Sequence, residues 1–319
     1  MPNSKQRKDK FRVTSSTQKS AEVCGLRTET KVWFDAAPFE FSEDYLALFE
    51  ELAEPIRGRA NFYRTYNMVD WKTPSARTYS SPKTWLRRQT PDASRGLFVR
   101  EARATADAAI SGVDTRFHGN QSAAWGGNAD YIRQILPSDD LKENPSDFIA
   151  RAIDMCDRVP FLCGHIGFAL EVSPILGTGL ETEGQRAAYA LSMRHPGATI
   201  GGLLEARPLR FIKGVGGVSW LTLVGRSPLE TLGGPDAVRD ALAATPEVVV
   251  HEAQHGLVIQ AGAAPALGDV NKGKDLPSHR AVFSALRRVI EPLSEHVRCL
   301  RLGSDDDRNR TIAWHRRLG

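Results

Sequence analysis

The chain has 319 residues, 41% of them hydrophobic and 25% charged, with a formal net charge of +4. This balance supports a sizeable core in an ordinary soluble protein, built as one large or two coupled domains, and no apolar run approaches the length that crosses a bilayer. The positive charge excludes little: residues 1–20 carry Lys5, Arg7, Lys8, Lys10, Arg12 and Lys19 against Asp9, so the rest of the chain sits at −1, which weakens any reading as a nucleic-acid binder.

In chain order, residues 1–20 are expected to be a disordered basic tail rich in Ser and Thr, with no hydrophobic core of a signal peptide behind it, so the protein is expected in the cytoplasm. Thr30 to Phe34 reads as a strand. Ser42 to Ile56 reads as a helix with Ser42 as N-cap, Glu43 and Asp44 in the first turn, and Tyr45, Leu48, Phe49, Leu52 and Ile56 on one face. A second helix is expected over Arg95 to Ile110, followed by strands at Asp114 to His118 and Asp130 to Leu136. Pro145 opens a helix running to Val159, whose apolar stripe is Phe148, Ile149, Ala152, Ile153 and Cys156. Leu162 to Val172 reads as a strand and Thr182 to Arg194 as a helix.

From Ile212 a glycine-punctuated approach leads into a half-buried strand that stops at Gly225, because Val218, Trp220, Leu221, Leu223 and Val224 favour a pleated surface. Gly233-Gly234-Pro235-Asp236 is turn chemistry, and AVRDALAA reads as a short helix stopped near Pro246. Val248 to Val250 and Leu257 to Gln260 form two strands of a hairpin. Gly262 to Gly268, with Pro265 between the glycines, is a loop leading into Asp269-Val270-Asn271, and Pro277 to Cys299 is the last helix. Strands and helices interleave without regular alternation. This predicts an α+β fold with mixed or antiparallel sheets and flanking helices, as one domain over residues 21–319 with room for two sub-lobes.

One segment offers catalytic chemistry. His251-Glu252-Ala253-Gln254-His255 spells the HExxH pattern in which a helix sets two histidines on one face around a zinc ion, with the glutamate as general base and Glu291 or Glu295 as a third ligand. The context favours a hairpin. Three valines precede His251, Gly256 follows His255, and the extended metzincin pattern is absent. A zinc-dependent peptidase is therefore the alternative reading, and no metal or cofactor is the preferred one.

Cys163 and His165, two apart on a strand, suggest a thiol with a base, but a buried cysteine beside an ordinary histidine is the simpler reading. Cys24, Cys156, Cys163 and Cys299 lack the spacing of a disulfide framework or zinc site and are expected as reduced, buried thiols. Asp269 and Asn271 are expected to stabilise their own loop, and Trp220 and Trp314 to be core or interface aromatics.

Several segments carry a resemblance to a known family: KVWFDA with SEDYLALFEEL, CGHIGFALEVSP, RHPG at Arg194 to Gly197, IKGVGGVSWLTLVG, LGG, IQAG with LGDVNKG, and Trp314-His315-Arg316-Arg317. The chain resembles, from about Lys31 to its end, the TsiV-like type VI secretion immunity proteins, described as immunity to VRR-NUC nuclease effectors. Where the family shows a tighter KGVNW, this chain has KGVGGVSW, with Ser219 in place of Asn. Trp220, Gly262, Gly268, Asp269 and Asn271 are the motif positions expected to shape the structure.

The resemblance implies a non-catalytic immunity protein whose partner is a nuclease effector of the PD-(D/E)xK type, with no direct contact to nucleic acid or membrane. Inhibition would work by covering the active or DNA-binding surface. Acidic residues would compete for the basic patch that holds phosphates, and the candidates are Asp139 and Asp140, Glu181 and Glu183, and Asp305, Asp306 and Asp307.

Overall fold

A computed structural model describes residues 11–18, 20–36, 38–65, 67–68, 70–87, 95–117, 130–174, 179–201, 214–296, 300–303 and 305–319, with the side chains of 291–296 excepted. The strands are β1 Val13–Thr14, β2 Glu22–Phe34, β3 Phe62–Thr65, β4 Arg95–Glu101, β5 Ser111–Phe117, β6 Tyr131–Pro137, β7 Phe161–Val172, β8 Thr199–Ile200, β9 Leu221–Gly225, β10 Val248–Ala253 and β11 Gly256–Ala261. The helices are α1 Ser42–Arg57, α2 Ala76–Tyr79, α3 Ser81–Arg87, α4 Ser138–Glu143, α5 Pro145–Arg158, α6 Gly179–Arg194, α7 Arg226–Leu232, α8 Pro235–Leu242, α9 Pro277–His296 and α10 Asp307–His315, with 3-10 turns at Pro38–Phe41 and Val270–Lys272.

All strands among the described residues join one 11-stranded sheet in the order β10-β11-β9-β7-β2-β6-β5-β4-β3, with β1 added to β2 and β8 to β7. Among these strands every pairing is antiparallel except β7 with β8. The α+β class expected from the sequence is the class observed. Its centre is the long pair β2 and β7, and all 13 residues of β2 are buried.

The two faces of β2 differ chemically. Its even-numbered positions include Leu26, Val32 and Phe34, and this face meets α1: Tyr45 packs edge-on against Phe34 and shares a 2.6 Å hydrogen bond with Thr115, while Gln134 donates to the Leu52 carbonyl at 2.7 Å. Tyr45, Leu48, Phe49, Leu52 and Ile56 are all buried, as their spacing predicts. Ser42 is the first helical residue and Phe41 takes the cap position without a side-chain bond, which corrects the expected Ser42 cap. In α5, Pro145 opens the helix and Phe148, Ala152 and Cys156 are buried.

The expected helix over Arg95 to Ile110 is not formed. Leu97 and Val99 are core residues of β4, held between β3 and β5. The alanine-rich stretch after it is instead wound around Arg100, whose guanidinium donates to the carbonyls of Thr105 and Asp107, while Asp107 accepts the Glu22 amide at 3.0 Å. Tertiary hydrogen bonds override helix propensity here.

Other strands run longer than expected. The strand placed at Thr30 to Phe34 begins at Glu22, and β5 extends back to Ser111; His118 and Cys299 lie outside the described residues, as do Ile212 and Lys213. Within the stretch expected as a tail, residues 1–10 are not described, Phe11 is buried and Val13–Thr14 pairs with β2.

Candidate interaction surface

Three segments far apart in sequence meet at one corner. Arg194, at the end of α6, donates through Nε and Nη2 to the two carboxylate oxygens of Asp269 at 3.0 and 3.1 Å. The neighbouring His195 Nδ1 lies 2.7 Å from the Gly268 carbonyl, and the Gly197 amide donates to the Leu267 carbonyl at 3.0 Å. From the third segment, Arg317 donates to the carbonyls of Pro196 and Ala198 at 3.1 and 3.3 Å and stacks over Trp314. RHPG, LGDVNKG and the closing WHRR are therefore parts of a single lock.

Local chemistry explains the loop. Gly268 has φ +66 and Gly262 φ +97, conformations that only glycine adopts cheaply. Trp220 is buried, and its indole Nε1 donates to the Gly262 carbonyl at 3.0 Å, tying β9 to the loop after β11. Asn271 sits exposed in the 3-10 turn. The guanidinium of Arg194 holds the Asp269 carboxyl below its ordinary range, against a smaller opposing effect of burial. In the stretch from Gly214 to Trp220, Ser219 is fully buried and its hydroxyl donates to the Ile166 carbonyl at 3.3 Å, which ties this stretch to β7.

His251 to His255 is a hairpin. His251 and Glu252 lie on β10, opposite Val258 and Leu257, while Gln254 and His255 form the two-residue turn. His251 Nε2 lies 3.2 Å from Gln260 Oε1, Glu252 pairs with Arg239 of α8, and the His255 amide donates to the Cys156 carbonyl at 3.2 Å. The one-turn helical spacing that a zinc peptidase requires is thus replaced by a strand and a turn. Among the described residues no group of three His, Cys, Asp or Glu side chains is placed to hold a metal; the side chains of Glu291 and Glu295 lie outside them.

The Cys163 and His165 pair is equally occupied. Burial pushes the Cys163 thiol up to about 12, although the Gly216 amide works against it, and His165 Nε2 lies 2.8 Å from Glu29. Cys24, Cys156 and Cys163 are all buried.

The acidic candidates separate into two groups. Glu181 is buried beside Gln185, which donates to it at 3.1 Å, and Glu183 accepts the Ser15 hydroxyl at 2.7 Å and the Ser16 amide at 2.6 Å. Asp307 accepts the Leu302 amide at 2.9 Å. These three serve their own fold. Asp139, at the start of α4, is exposed and bound by Lys142 at 2.7 Å, with Asp140 half-buried beside it; Asp305 and Asp306 are exposed before α10, where Asp306 accepts from Asn309.

Sequence reading missed a charge network on the odd face of β2. Arg133 of β6 contacts Glu29 and Glu171 directly and Asp114 at 3.5 Å, while Lys31 places Nζ 4.7 Å from the Trp33 ring centre and 4.5 Å from that of Tyr131. Burial opposes ionisation of Glu29, but the charges of Arg133, His165 and Lys31, with the His165 hydrogen bond, hold its carboxyl well below the usual range. Burial instead pushes Asp114 up to about 6, against the pull of Arg133 and Lys31. The Thr28-Glu29-Thr30-Lys31 alternation looks like an exposed strand, and only the non-local partners reveal it as interior.

The structure defines a single-sheet α+β protein in which widely separated motif segments close on one another. The chain belongs to the TsiV family, type VI immunity for VRR-NUC, whose model matches residues 46–318. Its fold is similar to that of the Pseudomonas aeruginosa T6SS protein PA0821, with a TM-score of 0.78 at 20% identity over 97% of this chain and 87% of that one. At that identity the likeness is one of fold. No curated protein matches the chain. Among the described residues no helix is long and apolar enough to cross a membrane.

Proposed function

We propose that this protein protects the cell that makes it by binding a VRR-NUC nuclease effector in the cytoplasm and covering its active or DNA-binding surface. The observation that carries this reading is the family match over residues 46–318. The physical logic is competition. A nuclease grips phosphates through a basic surface, and an inhibitor that presents carboxylates there displaces DNA without any reaction of its own. Asp139, Asp305 and Asp306 are exposed acids; Asp139 and Asp306 hold side-chain contacts to residues of the helix beside them, which an incoming basic surface would replace. Glu181, Glu183 and Asp307 are engaged within the chain.

The test is co-expression with the nuclease encoded beside this gene. Expected results are survival of the host, co-purification of the two chains, and loss of DNA cleavage by the purified nuclease when this protein is added in equal amount. Unrelieved toxicity together with no complex would remove the reading. The zinc alternative has its own readout: stoichiometric zinc in the purified protein, lost on His255→Ala, would revive it, and the hairpin predicts neither.

A further inference from the structure

The two ends of the sheet are finished differently. At the β3 end, Tyr63 and Lys72 exchange both backbone hydrogen bonds, at 2.7 and 2.8 Å, which closes the outer side. At the other end β10 is the last strand. The Gly262 amide donates to the Glu247 carbonyl at 3.1 Å, so Val249↔Gln260, His251↔Val258 and Ala253↔Gly256 are the hydrogen-bonded pairs of the hairpin. Antiparallel pairs alternate, which turns the amides and carbonyls of Val248, Val250 and Glu252 away from β11. The Thr245 carbonyl takes the Val248 amide at 3.4 Å; Val250 and Glu252 face outward on an edge that no strand joins among the described residues.

Among the described residues, and Glu252 apart, this edge lacks the features that normally keep a sheet from adding strands. Its sequence, VVVHEA, has no Pro and no Lys, its register is regular, and Val249 is 44% exposed. Around it the charge is negative although the body as a whole is near neutral. Glu247 and Glu252 lie on or beside the strand, Asp236 and Asp240 on α8, and Asp154 and Asp157 near the end of α5. On these elements six carboxylates stand against three arginines, at 158, 226 and 239, and Arg158 pairs with Glu51 of α1 as well as with Asp154. Glu252 pairs with Arg239, and Asp157 accepts the Gln254 amide at 2.7 Å, so both helices are fixed beside the hairpin.

We infer that the β10 edge is where the nuclease effector docks, through a basic extended segment of its DNA-binding surface that adds to the sheet as a further strand. Backbone bonds to Val250 and Glu252 supply register, and the acidic rim selects Lys and Arg side chains that would otherwise hold phosphates. The inference rests on the immunity reading and names its contact surface.

The full-length protein and the nuclease encoded beside its gene are mixed, and amide exchange is followed over residues 248–253 together with binding affinity. The amides of Val250 and Glu252 should gain protection in the complex. Val250→Pro, which removes an outward N–H and spares the β11 ladder, and the double change Asp240→Lys with Glu247→Lys should each weaken binding by at least about tenfold. Their thermal unfolding should match wild type, and the charge-reversed pair, both exposed side chains, decides the matter if the proline variant does not fold. Wild-type binding with an unprotected edge and unchanged variant affinities overturns the assignment and leaves the immunity reading standing. Failure of the wild type to bind overturns both. Self-association abolished by Val250→Pro gives the edge to a second copy of this chain and also overturns the assignment.

Discussion

Arg194 and Asp269, 75 residues apart in sequence, are joined by a two-pronged ion pair that brings the end of α6 onto the loop after β11. The bidentate geometry fixes both position and orientation, as a single contact from a lysine would not. Gly197 completes the approach: a Cβ there would stand 2.0 Å from the Ala266 carbonyl oxygen, on backbone that cannot swing aside.

Gly197→Ala should therefore push the RHPG turn off the loop and lower stability by roughly 1–3 kcal/mol, the usual cost of overpacking. Urea unfolding measures it. A midpoint equal to wild type would mean that the two loops are not held as closely as the distance implies.

The charge network under the sheet yields a sharper expectation. Arg133 is the shared partner of Glu29 and Glu171, and both carboxylates are buried. Arg133→Met leaves them facing each other in low dielectric and should cost about 3–5 kcal/mol, whereas adding Glu29→Gln and Glu171→Gln should recover much of the loss. Chemical denaturation of the single and triple variants checks this, and a single variant within about 1 kcal/mol of wild type would show that the network carries little.

Stability should also fall with acid before most carboxylates titrate. Burial, with Arg317 nearby, pushes His279 down to about 4 and His315 down to about 3. An unfolded histidine titrates near 6.5, so below that pH the unfolded chain takes up protons that the folded chain does not; stability is complete above pH 6.5 and is lost as pH falls toward 4 and then 3. Each histidine should contribute a loss of roughly 2 kcal/mol between about pH 6.5 and 5. Asp114, with its carboxyl pushed up to about 6, acts in the opposite sense, so the informative comparison is with His279→Gln, in which that contribution cancels. Parallel stability curves for the two proteins over this range would rule out a buried neutral His279.

Much of the local structure is legible in the chain. The helix at Ser42 to Arg57 is readable because five apolar side chains recur on one face, and that repeat is complete within its own residues. The HEAQH segment reads as a hairpin because the valines before it and Gly256 after it disfavour a helix more than the motif favours one. The region after Arg95 misled for the converse reason: its alanines favour a helix, and the hydrogen bonds from Arg100 that defeat that preference reach carbonyls whose positions depend on the turn itself. Glu181 and Glu183 read as candidate acids for contact with a partner; in the fold one is buried and the other holds residues 15 and 16 in place.

The amino-acid order alone specified the fold class, the main helices, the hairpin and the family, because periodicity, turn chemistry and motif spacing are properties of neighbouring residues. Tertiary structure decided which charges are interior, which motif segments touch, and which strand ends the sheet among the described residues. Those outcomes depend on partners tens of residues away: β2 is interior only because β6 and β7 pair along both its edges while α4 and α6 pack against it, and a glutamate such as Glu29 becomes a core residue only where Arg133 neutralises it and His165 lies within hydrogen-bond reach.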